Sequence, residues 1–239
     1  MKNKTIDRLI RILRTLNNLF RIMFSNVNEI WIGDSHAVYL AKSDRGTLGK
    51  SRKFNGVWSI WRGARLLYST GINGISKKEK ILLKFLSIKS KQATLFVVHG
   101  EIDCRMHWRN WKFKDNTTPI WVEKYIDLFQ ELAAETGFKN IIFVGPIPPA
   151  DTAEGINIKY PKDGSIYERV EATILLDNAL FRGVNSRKGN YISLINMFSN
   201  EKDHSLMAKF TNDGCHLNSS AVDKLRESLD KENKLNARY

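Results

Sequence analysis

Cysteine and proline are scarce in this chain of 239 residues, at two and five. Two thiols, Cys104 and Cys215, cannot build the disulfide framework of a small secreted scaffold, and a reducing, cytoplasmic setting is the expectation. Each thiol adjoins a polar cluster, where it serves either as a small buried side chain or as a nucleophile. No apolar run is long enough to span a bilayer. Arg8, Arg11, Arg14 and Arg21 interrupt the first apolar residues, so these form no uncharged signal-peptide core. Repeats and low-complexity segments are missing as well. Acidic residues fall short of basic ones, 25 against 38, which leaves a net charge of +13. Such an excess favours anionic partners: nucleic acid, an anionic lipid surface or an acidic polysaccharide. No zinc-finger spacing or basic-aromatic strand accompanies it, so a nucleic-acid partner rests on charge alone. His36, His99, His107 and His204 show no ligand spacing with a carboxylate, and neither a metal nor a cofactor is expected.

What is present reads as one globular domain with an N-terminal addition. The hydrophobic fraction is 42%, and the length suits a single core. Residues 1–27 hold a basic amphipathic helix over 5–24, with Ile6, Leu9, Ile10, Leu13, Leu16 and Phe20 on one face. That face either packs on protein or lies on a membrane surface. Within residues 28–239, short apolar strands are predicted at 29–32, 57–61, 94–98, 140–144 and 191–195. Helices are predicted at 36–41, 77–89, 122–135, 167–184 and 219–233, with loops at 42–55 and 106–121. Alternating strands and helices of this kind predict an α/β fold with a mainly parallel five-stranded sheet covered on both faces.

The chemistry gathers where strands end. Gly33-Asp34-Ser35 breaks the first strand and holds a hydroxyl at its C-terminal edge, where open α/β sheets place their sites. A serine hydroxyl needs a base and a group that orients the base. Asp213-Gly214-Cys215-His216 offers both. The strand at 94–98 ends in His99-Gly100-Glu101-Ile102-Asp103-Cys104-Arg105. Trp108, Arg109 and Trp111 follow, and with Trp121 they could stack on sugars or meet anions, or simply pack the lid of the domain. Asp103 and Arg105 are expected to pair beneath that loop. Each end motif alone is also an ordinary turn or helix cap.

These blocks together resemble the SGNH (GDSL-like) hydrolases, over residues 29–229. The resemblance implies a flavodoxin-like three-layer α/β/α sandwich and ester chemistry. It implies Ser35 as nucleophile, His216 as base and Asp213 orienting it. Gly63, or failing it Gly71, would join Ser35 in supplying backbone N–H groups to an oxyanion hole. Gly100-Glu101-Ile102-Asp103 stands where the family has Gly-x-Asn-Asp, so Ile102 replaces the usual amide donor. Arg105, His99, a protonated Glu101 or backbone N–H groups are the candidates to replace it. The variant run is similar to bacterial members associated with surface polysaccharides. The resemblance therefore implies an esterase for O-acyl, foremost O-acetyl, esters of an anionic carbohydrate. An O-acyltransferase and a non-catalytic glycan-binding protein on the same fold are the alternatives.

Overall fold

The computed structural model describes residues 4–44, 46–89, 92–110, 117–138, 140–150 and 162–236. In chain order the elements are α1 (Lys4–Met23), β1 (Glu29–Gly33), α2 (Ser35–Leu40), β2 (Gly49–Lys50), β3 (Val57–Trp61), α3 (Leu67–Asn73), α4 (Lys77–Lys89) and β4 (Thr94–Val98). They continue with α5 (Ile120–Thr136), β5 (Asn140–Val144), α6 (Ile166–Ser186), β6 (Asn190–Ile192), α7 (Ile195–Phe198) and α8 (Ser219–Asn236).

Successive residues of a strand point to opposite faces, and here each face meets its own core. Ile30, Ile32, Leu95, Val97 and Phe143 join one core with side chains of α3, α4, α5 and α6. Trp31, Phe96, Val98 and Val144 join the other with α2, α7 and α8. The rings of Trp31 and Phe96, register partners across β1 and β4, stack at 4.1 Å. Burial on both faces explains why these strands read as unbroken apolar runs.

The sheet order is β2-β3-β1-β4-β5-β6. All neighbours are parallel except β2 on β3. The five parallel strands therefore follow the flavodoxin-like order, which reverses between β1 and β4 and opens a crevice beyond their C-terminal ends. The sheet has six strands rather than five, because the polar stretch expected to be loop contributes the short antiparallel β2. The last strand is also shorter than expected, and α7 begins at Ile195.

Helix α1 forms as its periodicity predicts, but the described residues of the expected apolar face are turned largely to solvent, while the side chains of Ile6, Leu9 and Ile10 lie outside the described residues. Asn18, Leu19 and Ile22 are its described core contacts. Leu13, Leu16 and Phe20 remain 57%, 57% and 59% exposed, and Phe24 just beyond the helix is 77% exposed. Among the described residues no helix is long and apolar enough to cross a membrane.

Candidate active site

Gly33 closes β1 where only a glycine fits. A Cβ there would stand 1.9 Å from the Val98 carbonyl oxygen on β4. Asp34 then caps α2, accepting the His36 N–H at 2.8 Å. Helix N-termini leave their first N–H groups without intrahelical acceptors, and Ser35 occupies that first position.

The far end of the chain comes back to this turn. Ser35 Oγ lies 3.0 Å from His216 Nε2, and His216 Nδ1 lies 2.7 Å from Asp213 Oδ2. Asp213 Oδ1 also accepts the N–H groups of Cys215 and His216, at 2.9 and 2.7 Å. One carboxylate thus holds both the ring and the loop that carries it. Tyr39, one helical turn beyond Ser35, stacks on the other side of that ring at 4.0 Å and 17°. Burial, and next the charge of His36, lower the His216 pKa to about 4, against the pull of Asp213.

A charged network lies directly beneath. Glu101, the first residue after Gly100 at the end of β4, accepts from Arg105 Nε at 2.7 Å and Nη2 at 3.3 Å. Its Oε2 is 3.4 Å from His36 Nε2. Burial opposes ionisation of Glu101, but His36 and Arg105 outweigh it and hold the pKa at about 2. Burial likewise opposes the charge on His36, yet Asp34, Cys215 and Glu101 keep its pKa well above the ordinary value. Burial raises Asp34 to about 6. The donor atoms of His36, Cys215 and His216 lie within 4.8 Å of one another, a grouping that sequence spacing did not reveal.

Several expectations are corrected here. Asp103 does not pair with Arg105. It accepts the N–H groups of Leu67 and Tyr68 at 2.7 and 3.0 Å and so caps α3, whose own N-cap position, Leu66, offers no side-chain acceptor. Burial raises its pKa to about 7, against those two bonds. Ionised Glu101 is an acceptor only and cannot stand in for an amide donor. His99 is buried beside Tyr125 OH at 2.9 Å, and burial and then Arg62 push its pKa well down. Ile102 is buried and carries no donor. Gly71 belongs to helix packing, since a Cβ there would stand 2.1 Å from the Trp121 carbonyl. Gly63 differs: it lies two residues past β3 at φ +76°, and a Cβ would meet nothing within 4 Å. The preceding Arg62 N–H bonds the Gly33 carbonyl at 2.8 Å, which brings this turn alongside the Ser35 turn.

Three of the aromatic and basic residues expected to bind substrate are engaged within the protein. Trp121 is core, and Trp108 packs against the core and donates to the Asp163 carbonyl at 3.2 Å. Arg109 lies over the Trp108 ring and near Asp163 and Glu168. Trp111 lies outside the described residues. Both thiols are free, and burial raises the pKa of each. An opening of about 650 Å³ adjoins Tyr39 and is lined also by Val38, Lys42, Ser43, Asp44, Arg52 and Lys53. The sequence reading passed over Tyr39 and gave His36 no place beside the base, although both follow Ser35 on the same short helix.

A doubly covered parallel sheet with a Ser-His-Asp chain at its switch point is the SGNH/GDSL-like hydrolase fold. The chain shares 17% identity with a protein of Bacteroides fragilis assigned as an acylhydrolase, over 87% of each chain, with a TM-score of 0.56. A GDSL-like lipase from Bacteroides thetaiotaomicron matches at 16% identity over 88% of each chain, with a TM-score of 0.54. An aryl esterase from M. smegmatis matches at 13% identity over 87% of this chain and 99% of its own, with a TM-score of 0.50. No protein-family model and no curated protein matches the sequence.

Proposed function

We propose that the protein is a serine esterase that removes short O-acyl groups, foremost acetyl, from a carbohydrate. The observation that carries this reading is the continuous chain from Ser35 Oγ through His216 to Asp213, at 3.0 and 2.7 Å. His216 Nε2 takes the Ser35 proton as Oγ attacks the ester carbonyl. The oxyanion is met by the N–H groups of Ser35 and Gly63, with no side-chain amide. Each such donor is worth on the order of 10²–10³ in rate, so this hole makes a slower catalyst than one with an asparagine. Collapse of the intermediate breaks the C–O bond, and His216 returns the proton to the leaving alkoxide. Water then attacks the acyl-serine with His216 again as base, releasing the acid. A sugar hydroxyl in place of water would make the same intermediate an O-acyl transfer. The opening beside Tyr39 offers Lys42, Ser43, Arg52 and Lys53 as hydrogen-bond donors to a hydroxyl-rich carrier.

The test is a fluorophosphonate serine probe read by intact mass. One adduct, absent in Ser35→Ala, is expected, together with hydrolysis of acetylated glycans in preference to long-chain esters. No adduct on the folded protein would favour a glycan-binding protein that keeps the fold.

We infer also that α1 brings this activity to an anionic membrane surface. Its outward residues Leu13, Leu16 and Phe20 are each more than half exposed. Helices α1 and α4, which pack together, each carry a net charge of +4, eight of the thirteen excess positive charges. An apolar stripe within a basic surface matches an interface rich in anionic lipid.

A further inference from the structure

Two cations after β4 have partners there. Arg105 is held by Glu101, and Arg109 lies against Trp108 and two carboxylates. The opening beside α2 is different. It starts at Tyr39, whose ring covers His216, and continues along Lys42, Ser43, Arg52 and Lys53, with Asp44 as its one acidic lining residue.

We propose that this groove is an anion-binding subsite, centred on Lys42, for a carboxylate or phosphate carried by the ester substrate. The proposal rests on the esterase reading of Ser35.

Three observations support it. First, position: Tyr39, which stacks on the base, also lines the groove, so the groove lies beside the residue that covers His216. Its volume of about 650 Å³ accommodates one or two sugar units. Second, charge: the lining carries three cations against one carboxylate. Arg52 is paired with Asp44 and Lys53 with Asp223, both on the surface, where such pairs are weak and open to competition. Lys42 forms no ion pair among the described residues. Burial and the neighbouring Lys53 work against its charge, with only a distant offset from Asp223. An entering anion would relieve that cost.

Third, backbone: Lys42 sits at φ +50°, in the left-handed region that L-residues other than asparagine and aspartate rarely occupy. It is pinned there on both sides. Its N–H donates to the Tyr39 carbonyl at 3.1 Å, and its carbonyl accepts the Arg52 N–H at 2.9 Å. These bonds fix the backbone from which the Lys42 side chain enters the groove.

The anion could belong to a uronate in the glycan or to a phosphate on a sugar, and the test separates them. Four acetyl esters are compared: p-nitrophenyl acetate, acetylated xylo-oligosaccharide, acetylated oligouronate and an acetylated hexose phosphate. The wild type is expected to favour one of the two anionic esters, and which one identifies the source. Lys42→Asn, which suits the left-handed backbone, should lower kcat/KM for that ester about tenfold, mainly through KM, the loss expected for one charge-assisted contact. Lys42→Arg should retain most of the preference, and the two uncharged esters should not respond to either variant. A wild type indifferent to charge, or an equal loss on all four esters, would overturn the subsite. If no ester is turned over, the esterase reading fails instead. Calorimetric titration of deacetylated oligouronate and of inorganic phosphate then decides the subsite alone: binding abolished in Lys42→Asn supports it, and binding that is absent or unaltered refutes it.

Discussion

The imidazole rings of His36 and His216 lie 4.9 Å apart, centroid to centroid, so a buried ring whose pKa is raised stands beside the group assigned as base. Burial opposes a charge on His36, but Asp34, Cys215 and Glu101 raise its pKa, and a proton on His36 in turn disfavours one on His216. A general base must be unprotonated to act. The network beneath the triad therefore keeps His216 ready to accept a proton at pH values where an ordinary histidine would already carry one.

The consequence is a displaced acid limb. Ester hydrolysis should be full above the His216 pKa and fall as pH drops through about 4. An unperturbed histidine would place that fall near ~6.5. His36→Gln removes the neighbouring charge and should move the limb upward, short of the unperturbed position because burial of His216 persists. The check is kcat/KM for p-nitrophenyl acetate between about pH 3 and 8. Superimposable profiles would show that His36 does not tune the base.

Asp213 is expected to matter twice, through the ring and through the loop. Asp213→Asn should lower kcat by about 10⁴, as loss of the orienting carboxylate does in serine triads generally. It keeps an acceptor for the Cys215 and His216 N–H groups, so its melting temperature should stay near wild type. Asp213→Ala should lose both activity and stability. Equal activity of Asp213→Asn and wild type would remove Asp213 from the mechanism.

Much of this arrangement was legible in the sequence. The strands at 57–61, 94–98 and 140–144 match residue for residue, because their largely buried cores read as short runs rich in apolar side chains. Ser35, Asp213 and His216 could be joined only through the rule that sites lie at strand C-termini, since 181 residues separate the serine from its base. What was not legible depended on tertiary direction. Periodicity places the apolar residues of α1 on one side of the helix, but nothing local says on which side the body lies. In the turn after β4, Arg105 meets Glu101 four residues back rather than its nearer neighbour Asp103, as helical spacing dictates. Asp103 instead finds its partners 36 and 35 positions away, and a two-residue strand such as β2 has no apolar signature at all.

That distant cap is a stability element separate from catalysis. Asp103→Ala leaves the Leu67 and Tyr68 N–H groups without their acceptors in a buried setting. It should cost about 1–3 kcal/mol, the range for a lost cap and a buried unpaired donor. Asp103→Asn keeps one acceptor oxygen and should cost less. Urea unfolding of both variants provides the measurement. An Asp103→Ala protein as stable as wild type would mean that α3 needs no cap from the β4 turn.

The outward face of α1 makes the remaining expectation. Leu16 and Phe20 are more than half exposed, and the Phe20 and Phe24 rings pair at 5.2 Å on that surface. Sedimentation with phosphatidylcholine vesicles containing phosphatidylglycerol should carry the protein down, and pure phosphatidylcholine vesicles should not. Leu16→Glu with Phe20→Glu places carboxylates in the apolar stripe and opposes the lipid charge, so partitioning should fall at least about tenfold. Salt of about 0.5 M, where the Debye length is only a few ångströms, should weaken wild-type binding as well. Hydrolysis of a soluble ester should be unchanged in the double variant, because α1 contributes no side chain to the triad. Light scattering completes the test. A wild-type dimer that becomes monomeric in the double variant, with no vesicle binding in either, would assign this face to a second copy of the chain and refute the membrane contact.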